Sequence, residues 1–147
     1  RVEIICHDFR DYQPETRFDL IVSNPPYFID ALKCPDEQRC TARHAGNLNY
    51  DLLFHRSASL LEEQGVVSII IPAEAEKTVV DTAWNHKLFP LHRVQVFTKP
   101  GKPCRRVLLN FGFEAKECRE EKLCIEVNHN EFTPEYVALT KDFYLKM

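Results

Sequence analysis

The chain of 147 residues is 44% hydrophobic and 28% charged, the composition of an ordinary globular domain with a single core. No apolar run approaches the roughly 20 residues of a membrane helix, and no basic-then-apolar leader opens the sequence, so neither a membrane protein nor an intact secretory precursor is expected. Lys and Arg total 19 against 22 Asp and Glu, a formal net charge of -3, so a nucleic acid would have to be held by a local basic patch and not by an overall positive field.

Arg1 to Cys6 carries β-branched Val2, Ile4 and Ile5 and reads as a strand ending at His7-Asp8-Phe9. A chain that begins inside an extended run, without Met, is expected to be a piece of a longer protein. Phe18 to Ser23 (FDLIVS) is a continuous apolar run of the kind found in strands buried on both faces. Asn24-Pro25-Pro26-Tyr27 stops it, because neither proline can donate a ladder hydrogen bond. Asp30 to Asn49 is polar and without period, the pattern of a long surface loop that carries function.

Asn49 or Asp51 can cap a helix from about Asp51 to Glu63, with Leu53, Phe54, Ser57, Leu60 and Leu61 as its stripe and Gln64-Gly65 as its end. Val66 to Ile71 reads as a third strand closed by Pro72, and Ala73 to His86 returns to helical spacing through Val79, Val80 and Ala83. Leu91 to Thr98 and Arg105 to Phe113 read as two strands, and Lys99-Pro100-Gly101-Lys102-Pro103 between them is short enough for an antiparallel pair. Leu123 to Val127 is expected to add an edge strand. Thr133 to Met147 predicts a terminal helix with Thr133 as N-cap and Pro134 at its first position.

This alternation predicts one α/β domain with a mostly parallel sheet and an antiparallel hairpin at its C-terminal edge. The six cysteines form no CxxC pair; reduced thiols and no metal are expected. His55, His86, His92 and His129 show no metal spacing and read as helix-surface or capping groups, and Trp84 as core or half-buried packing. The four glycines are scattered outside any GxGxxG or Walker loop, so the sequence offers no phosphate or dinucleotide cradle.

The strongest local signal is Asn24-Pro25-Pro26-Tyr27 at the carboxyl end of a buried strand, the edge at which open α/β sheets place ligands. The segment resembles the NPPY motif of class I S-adenosylmethionine-dependent methyltransferases that act on planar amino or amide nitrogen, adenine-N6 and glutamine-N5 enzymes among them. The resemblance implies catalytic roles for Asn24, Pro25, Pro26 and Tyr27. An adenine amino nitrogen attacks poorly while its lone pair is delocalised into the ring. The Asn24 side-chain oxygen and the Pro25 carbonyl would hold its two hydrogens, and Tyr27 would stack on a base drawn out of its helix. In the same pattern Asp8 accepts from the amino group of the cofactor's adenine, Phe9 packs on that ring, and Asn24 borders the cofactor.

The Arg43-His44 segment, the Thr98 to Pro103 turn and the ending from Leu139 to Leu145 bring the chain closer to one group. They resemble bacterial tRNA (adenine-N6)-methyltransferases that modify the adenosine 3′ of the anticodon in valine tRNA. The implied fold is a Rossmann-like class I methyltransferase sheet, truncated at its N-terminal side, with residues 1–147 as the C-terminal part of a single catalytic domain. The implied cofactor is S-adenosylmethionine and the implied partner a tRNA in the cytoplasm, met by Arg43, His44, Lys99, Lys102 and Arg105. The glycine-rich loop for the cofactor is missing, so this chain alone is expected to be inactive and to bind cofactor weakly. Its open sheet edge invites self-association. Two alternatives stay open: a glutamine-N5 methyltransferase acting on release factors, and a non-catalytic RNA- or partner-binding fragment.

Overall fold

A computed structural model describes residues 2–25, 49–128 and 131–144. Its elements are strand β1 (Phe18–Ser23), helix α1 (Tyr50–Leu60), strand β2 (Leu61–Pro72), a 3-10 turn (Ala73–Ala75) and helix α2 (Glu76–Asn85). Strands β3 (Phe89–Phe97), β4 (Arg106–Gly112), β5 (Arg119–Cys124), β6 (Glu126–Asn128) and β7 (Glu131–Phe132) follow, then helix α3 (Pro134–Thr140). Among the described residues the main sheet has the order β1-β2-β4-β3-β5, and β6 and β7 form a separate pair. β1 lies parallel to β2, and β5 to β3, while β4 runs antiparallel to both of its neighbours. Four of the five strands therefore point one way.

Local chemistry sets the element ends. The Asn49 side chain, not that of Asp51, caps α1 by accepting from the Leu52 amide at 2.7 Å. The helix stops at Leu60, three residues before the predicted end, because Leu61 is drawn into the sheet opposite Phe18 and is fully buried there. A bulge follows, and Gly65 is needed at it: a Cβ there would lie 2.8 Å from Leu61 Cδ2 and 2.9 Å from the Phe18 carbonyl oxygen. α2 closes with amides of Lys87 and Leu88 bonded to the carbonyls of Trp84 and Ala83, both at 3.0 Å. Lys87 takes the left-handed conformation (φ 58) that this ending demands.

The core lies between α1, α2 and one face of the sheet. Val67, Ile69 and Ile71 of β2 and Val107, Leu109 and Phe111 of β4 alternate inward onto Leu53, Phe54, Val79 and Ala83. Phe54 meets Phe111 edge-on with ring centroids 5.1 Å apart. Each such large side chain contributes about 1.5–3 kcal/mol on burial.

The opposite face differs from expectation. β1 packs Ile21 against the core, but Leu20 is 56% and Val22 70% exposed, so this strand is covered on one face and not on both. Residues 2–8 form no strand, and Val2 and Ile4 are exposed. Their β-branched composition suits a strand, yet no neighbour among the described residues offers them a ladder.

Further along, the antiparallel pair β3–β4 forms as predicted. The predicted edge strand at Leu123 to Val127 is replaced by β5, which is polar and pairs in parallel with β3, and by the short β6. Thr133 caps α3, accepting from the Tyr136 amide at 3.2 Å, with Pro134 at the helix start. Trp84 is 57% exposed and packs edge-on against Phe89, outside the core. His86 occupies the C-cap of α2, whereas His92 lies on β3 and not on a helix.

Candidate active site at the carboxyl edge of the sheet

β1, β2 and β3 run in one direction, so their carboxyl ends at Ser23, Pro72 and Phe97 share one edge of the sheet. Asn24 and Pro25 leave β1 at this edge. The backbone there is well determined, because Ser23 pairs with Ile69, a core residue. Asn24 is exposed and makes no hydrogen bond among the described residues, while Pro25 is buried. The carboxamide is thus presented to solvent from an anchored backbone. Pro26, Tyr27, Arg43 and His44 lie outside the described residues.

The basic turn after β3 reaches the same edge. The Lys102 amide bonds the Lys99 carbonyl at 3.2 Å, with Pro100 and Gly101 (φ 72) in the middle. Proline fixes the first central dihedral of such a turn, and only glycine takes the second without strain. Lys99 pairs with Glu126 at 3.2 Å, so part of its charge is already answered. Lys102 and Arg105 are exposed and in no ion pair among the described residues. β4 and β3 are the second and third strands from β1, which places the turn about 10–15 Å across the edge from Asn24.

Asp8 and Phe9 lie on a tight turn before β1, in which the Asp11 amide bonds the Asp8 carbonyl at 3.2 Å. The Asp8 carboxylate accepts from the Arg10 amide at 2.9 Å and from Arg10 Nε at 2.9 and 3.0 Å. The Arg10 guanidinium, then its backbone amide, lowers the Asp8 pKa from 3.8 to about 2, against a smaller opposing effect of desolvation. Asp8 is therefore an ionised, acceptor-only group at neutral pH. Phe9 packs against the core cluster. Tyr12 stacks on Phe18 with centroids 6.4 Å apart, which ties the turn to the start of β1. No hydrogen bond or ion pair among the described residues joins Asp8 or Phe9 to Asn24.

Sequence reading missed Arg56. This α1 side chain donates from Nε to the Phe9 carbonyl at 3.3 Å and from a terminal nitrogen to the Tyr12 carbonyl. A helical arginine bonded to carbonyls more than forty positions upstream has no local signature.

The fold itself defines a class. Over 91% of this chain and 60% of the other, it superposes with a TM-score of 0.65, at 15% sequence identity, on a predicted O-methyltransferase from Agrobacterium tumefaciens. The likeness to that methyltransferase is one of fold. The family model of the Eco57I restriction-modification methylase matches residues 3–82, more than half of the chain, and the chain belongs to that family.

Curated relatives narrow the likeness. A tRNA1(Val) (adenine(37)-N6)-methyltransferase of Bacteroides fragilis is 45% identical over 150 residues, covering 100% of this chain and 63% of the relative. A protein of the same name from Phocaeicola vulgatus is 44% identical over 147 residues, again with 100% and 63% coverage. The chain thus spans 63% of the length of these relatives.

Proposed function

We propose that this chain carries the base-holding part of an enzyme that methylates N6 of an adenosine in tRNA, the one 3′ of the anticodon in valine tRNA, with S-adenosylmethionine as donor. The observation that carries this reading is Asn24: an exposed carboxamide without a partner among the described residues, followed by a buried proline, at the carboxyl end of a strand anchored in the core. The names and identity of the curated relatives support the tRNA substrate.

The residues present fit the adenine end of the donor. An ionised carboxylate oriented by Arg10 is the acceptor an exocyclic amino group requires, and half-buried Phe9 follows it in the chain. S-adenosylmethionine, when bound, supplies an electrophilic methyl on sulfur. The chain's own work is positioning. The Asn24 side-chain oxygen and the Pro25 carbonyl accept the two hydrogens of the substrate amino group, which keeps the nitrogen lone pair out of the ring and directed at the donor. The backbone that carries both acceptors is anchored before reaction, through the pairing of Ser23 with Ile69, which lowers the reorganisation that falls on the transfer. On the family resemblance Tyr27 gives the extruded base an aromatic face. Lys102 and Arg105, with Lys99, meet the phosphates of a tRNA lying along the carboxyl edge, in the cytoplasm where tRNA is found.

The test is labelled-methyl transfer by the full-length protein, with unmodified tRNA and a peptide release factor offered side by side. Label recovered from tRNA as N6-methyladenosine, and lost in Asn24→Ala, is the expected result. Label in the release factor would move the reading to glutamine-N5 transfer. Label in neither would leave a binding module.

A further inference from the structure

Among the described residues, 2–8 have no ladder partner, and the turn at 8–11 is closed by one backbone hydrogen bond of 3.2 Å. Arg56 of α1 grips this turn from the helix. Its guanidinium, half-buried, donates to the Phe9 carbonyl at 3.3 Å, to the Tyr12 carbonyl, and to Ser59 Oγ at 3.4 Å. Phe9 and Tyr12 both tie this turn to the rest of the fold, through the core and through the Phe18 ring. A planar fork can hold both carbonyls at once, in fixed directions, whereas a lysine is a flexible point charge that cannot reproduce the pair. The stripe neighbours of Arg56, Leu53 and Leu60, are buried in the core, so the fork stands on a rigid base.

We infer that Arg56 is a positioning residue for the adenine of the methyl donor. It sets the Asp8–Phe9 turn so that the carboxylate of Asp8 faces the adenine amino group, while the Phe9 ring is held by its packing on the core. The inference rests on the reading of Asp8 and Phe9 as the adenine-holding pair. Arg56 touches neither donor nor substrate and acts through two backbone carbonyls.

The experiment is calorimetric binding of two ligands to the full-length protein: S-adenosylhomocysteine, and its analogue with purine in place of adenine, which lacks the amino group that Asp8 would accept. Wild type, Arg56→Lys, Arg56→Gln and Asp8→Asn are compared, with thermal melting as the check on folding. Arg56→Lys is expected to weaken S-adenosylhomocysteine by about tenfold and the purine analogue by less than about twofold. KM for tRNA and kcat at saturating donor are expected to stay within about twofold of wild type. Arg56→Gln, which keeps a planar donor for one carbonyl, is expected to fall between wild type and lysine.

Equal losses for the two ligands, or no loss in Arg56→Lys while Asp8→Asn weakens S-adenosylhomocysteine, would overturn the role of Arg56 and leave the adenine reading standing. No loss in Asp8→Asn would overturn the adenine reading and the inference with it. Unfolding of both Arg56 variants would assign the residue to stability alone and also overturn the inference.

Discussion

Asn24 leaves the end of β1, whose residues Leu20 to Ser23 pair one by one with Val66 to Ile69, whereas Asp8 sits on a turn outside the sheet and is gripped by the side chains of Arg10 and Arg56 through Phe9 and Tyr12. The two halves of the candidate site are therefore placed by different physics. A ladder distributes position over many backbone bonds that no single side chain supplies. A tether concentrates it in a few charge-assisted bonds, each removable by one substitution. Changes near Asn24 should act on chemistry with position preserved, and changes near Asp8 on ligand affinity through position.

Breaking the ladder-held half requires damage to the core. Ile69 lies opposite Ser23 and is 1% exposed, so Ile69→Ala should cost about 2–5 kcal/mol of stability, measured by denaturant unfolding. The next largest effect sharpens the contrast. Asn24→Ala removes an acceptor without removing packing, and should lower kcat of the full-length enzyme about 10²- to 10³-fold with an unchanged melting midpoint. Paired losses of kcat and stability would show that the carboxamide also holds the strand end.

For tRNA, replacing Lys102 and Arg105 together by Ala should flatten the salt dependence of binding by roughly one unit of log slope per lost phosphate contact. Lys99→Ala should change it less, because Glu126 already answers that charge. Lys87→Gly relieves a left-handed lysine at the end of α2 and should stabilise the chain by about 1 kcal/mol, seen as a higher melting midpoint with no effect on either half of the site.

The smallest effect belongs to Arg10. Arg10→Ala should let the Asp8 pKa return from about 2 toward 3.8, followed by the carboxyl carbon signal in an NMR titration. The sign follows from linkage: a carboxyl lowered by folding contributes stability that is present above 3.8 and lost as pH falls through about 2. Both values lie far below neutrality, so binding at pH 7 loses orientation and not charge.

The readable parts of the fold were those whose pattern names their own surroundings. Val66 to Ile71 is apolar enough to be a central strand, and Pro100-Gly101 dictates the turn that makes β3 and β4 antiparallel. Elements defined by a distant partner were not readable. The polar REEKLC of β5 is a strand because it lies beside β3, where Arg93 pairs with Glu76 and reaches Glu120 at 3.8 Å. Arg1 to Cys6 has strand composition, but residues 2–6 have no ladder neighbour among the described residues, and the first residues of β2 resemble the end of a helix until Phe18 is opposite them. At the site, the motif identified Asn24 and Pro25 by type and place. The grip of Arg56 depends on a contact between segments far apart in sequence, which no local pattern encodes.

β1 reaches its partner over a longer stretch of chain than β3 does, which bears on when the site forms. Its partner strand is some forty residues further along the chain, while β3 and β4 are joined by one short turn. Closing the longer loop is the slower event, so the segment that presents Asn24 is expected to dock on β2 after β3 and β4 have paired.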